Sequence, residues 1–224
     1  MRAVRTLLHG LGELCITVGV VLLLFVAWQL WWTDVAAGRS QDRSVQWLER
    51  QWASAPPART PPSTSLDGVP PGRAVALLRV PRFGADYVRP VLQGVGLDVL
   101  DDGVGHYPSS AGPGEVGNLA LAGHRVTYGA PFSRIAELRP GDPVLVQTRD
   151  ASHEYAVLRS TVVPPDRVDI VEPVPEHPGQ RPTRRLLTMT ACHPKYSARL
   201  RYVVFAELRR SLPRTAGAAP ASPR

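Results

Sequence analysis

Cys192 ends the apolar run Leu186-Leu187-Thr188-Met189-Thr190-Ala191 and is followed by His193-Pro194. A thiol at the end of a strand, just before a chain-breaking proline, is placed to emerge at the rim of a β-structure and act as a nucleophile. Such a cysteine needs a base, a donor for a developing oxyanion and a groove for its substrate. His106, His124, His153, His177 and His193 are the histidines of the chain beyond its N-terminal apolar stretch. His193 adjoins Cys192 and points to the opposite face of a strand. His153 falls at a turn and His177 in a Pro-rich loop. His124 closes the run Asn118-Leu119-Ala120-Leu121-Ala122 after Gly123, a residue that permits close backbone approach, and is the best-placed partner. Arg199 and Arg201 lie on the strand after Cys192, where either can offer a fork of donors to a carbonyl oxygen. The residue types leave a second reading open: Cys192 as a small buried apolar side chain and His124 as a structural histidine. No His, Cys or carboxylate cluster has zinc or calcium spacing and no glycine loop suits phosphate, so neither metal nor cofactor is implied.

The elements that must position these residues are short strands. Apolar runs at 74–80, 87–91, 118–122, 143–148, 153–163, 184–192 and 199–208 are separated by Gly- and Pro-containing turns. Short helical patterns occur around Leu97–Asp102 and from Phe132 to Leu138. Many short strands with few helices predict an all-β domain, a closed barrel or a sandwich. The segment 211–224 is rich in Pro and Ala and is expected to be a disordered tail.

Ahead of this domain, Leu14–Trp32 carries no charge and is long enough to cross a ~30 Å hydrocarbon core. Trp28, Trp31 and Trp32 cluster at its far end, as an interfacial belt does. Arg2 and Arg5 precede it and no basic residue follows until Arg39, which predicts a cytoplasmic N-terminus (1–13), a single span (14–32) and an extracytoplasmic remainder. A signal peptide cleaved after Val35-Ala36-Ala37 is the alternative. Residues 33–72 read as a polar and Pro-rich stalk that holds the domain off the bilayer. Within it, Trp47, Leu48, Gln51 and Trp52 suit a short amphipathic helix, either on the membrane or on the domain. The net charge of +7 is almost wholly arginine, since Lys195 is the single lysine, and it is scattered rather than striped, which argues against a nucleic-acid partner.

Taken together, these segments resemble the sortases, and most of all the class E sortases of Gram-positive bacteria. The cysteine segment Thr188-Met189-Thr190-Ala191-Cys192-His193-Pro194-Lys195-Tyr196-Ser197-Ala198, the histidine segment Leu121-Ala122-Gly123-His124-Arg125-Val126-Thr127-Tyr128-Gly129-Ala130-Pro131-Phe132 and the run Gly103-Val104-Gly105-His106-Tyr107-Pro108 carry the likeness over about residues 74–210. The resemblance implies a closed eight-stranded sortase-type β-barrel with short helices at 73–210, preceded by one transmembrane helix. It implies a cysteine transpeptidase with Cys192 as nucleophile, His124 as general acid/base and Arg201, which directly precedes Tyr202-Val203-Val204-Phe205, as oxyanion stabiliser. Tyr107, Thr188, Thr190 and Ala191 are the implied substrate contacts, Tyr107 being linked to a Leu-Ala-x-Thr-Gly sorting signal over Leu-Pro-x-Thr-Gly. The implied partners are secreted proteins with C-terminal sorting signals and an amine acceptor, either a peptidoglycan precursor or a pilin lysine, at the cell membrane. Pilin polymerisation and a catalytically weakened binding domain are the alternatives. Two positions depart from the family pattern: Met189 replaces a leucine, and Ala191 replaces the threonine before the cysteine.

Overall fold

A computed structural model describes residues 2–53 and 65–214. The Pro-rich run at 54–64 and the tail beyond 214 lie outside the described residues. The chain opens with a single unbroken helix, α1 (Arg2–Ala53), and then folds into eight strands. These are β1 (Ala74–Arg79), β2 (Val88–Gln93), β3 (Val104–His106), β4 (Gly117–Ala122), β5 (Pro143–Gln147), β6 (Ala151–Val163), β7 (Arg185–His193) and β8 (Leu200–Pro213). A four-residue helix, α2 (Leu97–Leu100), joins β2 to β3. The strands close into a barrel in the order β1-β2-β3-β4-β7-β8-β6-β5. The β2–β3 and β4–β7 pairs are parallel and the others antiparallel.

Strand alternation sorts β4, β7 and β8 into two faces. Leu119 and Leu121, Leu187, Met189 and Ala191, and Val204 and Ala206 join the interior cluster around Tyr155 and Phe132. The intervening residues face outward. On that outer face Val203 and Phe205 are covered by Ile170 and Val163. Buried Asn118 holds the covering segment: its amide donates to Glu172 O at 3.0 Å, and its carbonyl oxygen accepts from the Thr188 hydroxyl at 2.8 Å. The segment around Ile170 thereby packs over the outer face beside β4 and β8.

Several local readings differ from the sequence-based expectation; His153, expected at a turn, lies within β6 and pairs with Val146. The three-residue β3 was not anticipated, because so short a run carries no periodicity of its own. The helical pattern at 132–138 contracts to a 3₁₀ turn at Ile135–Glu137. β8 reaches Pro213, into the segment expected to be a tail, because β6 offers it a ladder as far as Ala151.

The segment 33–53 is a helix docked on the barrel. Ala37, Gln41, Val45, Leu48 and Trp52 recur every three to four residues, so they share one face of α1. Leu48 and Trp52 are 2% and 4% exposed and pack on Leu77 of β1. Burial of each contributes about 1.5–3 kcal/mol. Glu49 pairs with Arg79 at 3.1 Å, and Arg214 lies over the Trp52 ring. Of the two placements open for this segment, packing on the domain is the one observed, while Trp47 stays exposed. The last turns of α1 therefore set the barrel's place relative to the apolar stretch. That stretch is long and apolar enough to cross a membrane, and none of it is buried in the protein.

Candidate active site

The parallel β4–β7 ladder pairs Ala122 with Thr190, and the Gly123 N–H carries it one step further by donating to Thr190 O at 3.1 Å. Two residues on from each partner are His124 and Cys192, on the outward face because alternation has a period of two. The antiparallel β7–β8 ladder pairs Cys192 with Arg201, which places the guanidinium stem on that same face. Register alone thus gathers three residues that are distant in sequence. Cys192 is half-buried.

Each is held by neighbours. His124 Nε2 lies 3.3 Å from Asp101 Oδ1, just beyond α2, an ion pair whenever the ring is protonated. With Nε2–H donated to Asp101, the lone pair of a neutral ring sits on Nδ1, the nitrogen left to take or return a proton. The Tyr128 ring lies 5.0 Å from the imidazole, tilted by 31°. Arg201 Nη1 donates to Ala198 O and Leu200 O at 2.9 and 3.1 Å, which braces the turn between β7 and β8. Buried Arg125 donates through Nη1 to Cys192 O at 3.2 Å and to His193 Nδ1 at 2.6 Å, and its guanidinium lies over the Tyr202 ring. It ties the strand end that carries the thiol to the loop that carries His124. His193 is thus committed to Arg125.

Tyr107 follows β3, and its N–H donates to Ala120 O at 3.0 Å. Burial pushes its phenol up, offset in part by the Arg201 guanidinium, so the two residues lie within electrostatic reach. Thr190 lies on the outward face two residues before Cys192. Its hydroxyl is buried with no hydrogen-bond partner among the described residues, whereas that of Thr188 is spent on Asn118. Ala191 is 3% exposed and belongs to the interior cluster, on the face opposite Cys192. A hydroxyl at this position would accordingly point into the barrel, away from the Cys192 face. Sequence reasoning passed over Asp101 and Arg125. Arg125 adjoins His124 in the chain, but its contact with Cys192 spans 67 residues, and nothing in the sequence marks Asp101 as the imidazole's partner. Among the described residues, no group of three or more His, Cys, Asp or Glu is arranged to hold a metal ion.

A closed eight-stranded barrel whose registers bring a rim cysteine, a histidine and an arginine from three segments onto one face is the architecture of the sortases. The sortase domain model matches residues 78–209, and the chain belongs to the sortase family. It is 37% identical over 219 residues to Sortase SrtE1 of Streptomyces coelicolor, an alignment covering 93% of this chain and 59% of that protein. It is 34% identical over 218 residues to Sortase SrtE2 of the same organism, covering 90% of this chain and 81% of that protein. The chain thus spans about three fifths of the length of the first of these relatives. Among solved structures it resembles sortase E from Streptomyces avermitilis, with a TM-score of 0.60 and 37% identity over 68% of this chain and 98% of that one.

Proposed function

We propose that this protein is a membrane-anchored class E-type sortase. It cuts a C-terminal sorting signal of the form Leu-Ala-x-Thr-Gly between Thr and Gly, and transfers the new C-terminus to an amine at the cell surface. The observation that carries the reading is the convergence, through two strand registers, of Cys192, His124 and Arg201 on one outward face of the barrel.

The Cys192 thiolate attacks the threonine carbonyl carbon, and Arg201 donates to the tetrahedral oxyanion, a contribution on the order of 3 kcal/mol. As the C–N bond breaks, His124 gives its proton to the departing glycine nitrogen and a Cys192 thioester remains. An incoming amine from a peptidoglycan precursor or a pilin lysine attacks the thioester. His124 takes the amine's proton, the thiolate leaves and a new amide is formed. Asp101 orients the imidazole throughout. Tyr107 and Thr190 are the substrate contacts near the thiol; the Thr190 hydroxyl is buried and without a partner among the described residues, so bonding a substrate amide requires the barrel surface to open there. The uncharged stretch Leu14–Trp32 spans the membrane with the N-terminus cytoplasmic, and the barrel lies outside.

The test uses the full chain in detergent micelles with a Leu-Ala-Glu-Thr-Gly peptide and triglycine as amine. The expected result is a transpeptidation product together with a Cys192 acyl-enzyme seen by mass spectrometry. If Cys192→Ala processes the peptide as wild type does, the assignment is wrong.

A further inference from the structure

The loop that follows His124 is held from an unexpected side. Tyr128, Gly129 and Ala130 have successive positive φ values of 54°, 71° and 41°. Non-glycine residues in this region cost on the order of 1 kcal/mol or more each and persist only where the surroundings enforce them. Part of that enforcement comes from α1. Gln41 Nε2 donates to Tyr128 O at 2.9 Å, and the Gly129 N–H donates to Asp34 Oδ1 at 3.2 Å. Gln41 is 2% exposed, so its amide is committed to this contact. The fit is close: a Cβ on Gly129 would stand 3.0 Å from Gln41 Nε2. Asp34 lies two residues beyond Trp32, about 3 Å further along the helix axis, where α1 leaves the apolar stretch. The chain of contacts continues inward, because the Tyr128 ring packs against the His124 imidazole.

We propose that the membrane-exit turns of α1 form a positioning element for the active site. Asp34 and Gln41 brace Tyr128 and Gly129, and through the Tyr128 ring they hold His124 in its working orientation. The anchor helix thereby sets catalytic geometry as well as location. This inference rests on the reading of His124 as the general acid/base.

The experiment uses the full chain in detergent micelles with the Leu-Ala-Glu-Thr-Gly peptide and triglycine. Gln41→Glu keeps the shape but replaces the donor to Tyr128 O with an acceptor. Asp34→Ala removes the acceptor for Gly129, at a position more exposed than Gln41 and so less critical for folding. Asp34→Asn retains an acceptor oxygen. Misplacing a catalytic group lowers turnover while leaving substrate contacts in place, so Gln41→Glu and Asp34→Ala should each lower kcat about tenfold with KM changed less than about twofold. Asp34→Asn should restore kcat to near wild type. Variants with wild-type kcat, a loss confined to KM, or an Asp34→Asn as impaired as Asp34→Ala would each overturn the inference while an active wild type leaves the functional reading standing. A wild type as inactive as Cys192→Ala overturns that reading and this inference with it.

Discussion

Cys192 and Arg201 are register partners across the β7–β8 ladder. Side chains so paired stand on one face with Cβ atoms about 4.5–5.5 Å apart. Arg199, two residues earlier, lies in the exposed turn before β8. The ladder thus separates two arginines that the sequence offered together.

Arg201→Ala should lower kcat/KM by about 10²–10³, the loss typical of one oxyanion donor. Arg201→Lys should recover little of it, because an ammonium cannot reproduce the planar fork. Arg199→Ala should stay within about twofold of wild type. Steady-state kinetics of the three variants with the same peptide check the assignment, and a loss at Arg199 equal to that at Arg201 contradicts it.

Asp101 lies 3.3 Å from His124 Nε2, but its side chain is 37% exposed, so solvent screens the pair. Its contribution to orienting the ring is then about 1 kcal/mol, roughly a fivefold fall in kcat for Asp101→Asn. Raising ionic strength should erode the wild-type advantage over the variant. An advantage that persists unchanged in 1 M salt would argue against an electrostatic role.

The Thr190 hydroxyl, buried and without a partner among the described residues, makes a prediction with two signs. Thr190→Val preserves shape and removes an unsatisfied polar group, so the barrel should be unchanged or up to about 1 kcal/mol more stable. If that hydroxyl bonds substrate, KM rises severalfold in the same variant. Thermal unfolding and KM measured side by side separate the two effects.

His153 is 2% exposed, with Nδ1 2.8 Å from Ser211 Oγ and Gly114 closely packed on its ring. Burial lowers its pKa from 6.5 to about 4. Buried His106 is lowered for the same reason. Below pH 6.5 the unfolded chain takes up a proton that the folded chain refuses until about pH 4, so stability falls as pH drops through that window and is level above it. Between pH 7 and 4.5 the loss from His153 is on the order of 2 kcal/mol. His153→Gln should flatten this slope, leaving a residue of it from His106. The unfolding midpoint in detergent at the two pH values checks it, and an unchanged slope in the variant would reject it.

Much of the site was legible before the fold. Cys192 and His124 each close an apolar run, and a strand with period-two alternation announces itself locally in the residues that form it. The uncharged Leu14–Trp32 stretch is equally local, because composition and length define it. The strand that escaped notice, β3, is three residues long and exists only because β2 and β4 flank it.

What tertiary structure alone decided is non-local. The choice of Arg201 over Arg199, which on sequence rested on family resemblance, follows physically from the register that pairs Cys192 with Arg201, and Ala191 turns inward because alternation along β7 is anchored by the core. Asp101 meets His124 across 23 residues, Arg125 meets Cys192 across 67, and Asp34 meets Gly129 across 95. The residues at 33–53 illustrate the same division: the spacing of Trp47, Leu48, Gln51 and Trp52 made a short amphipathic helix readable, but only the complementary surface at Leu77, Tyr128 and Gly129 decided that it packs on the domain. Local chain chemistry determines which residues can form a strand, a span or a nucleophile, whereas register and packing determine which of them meet.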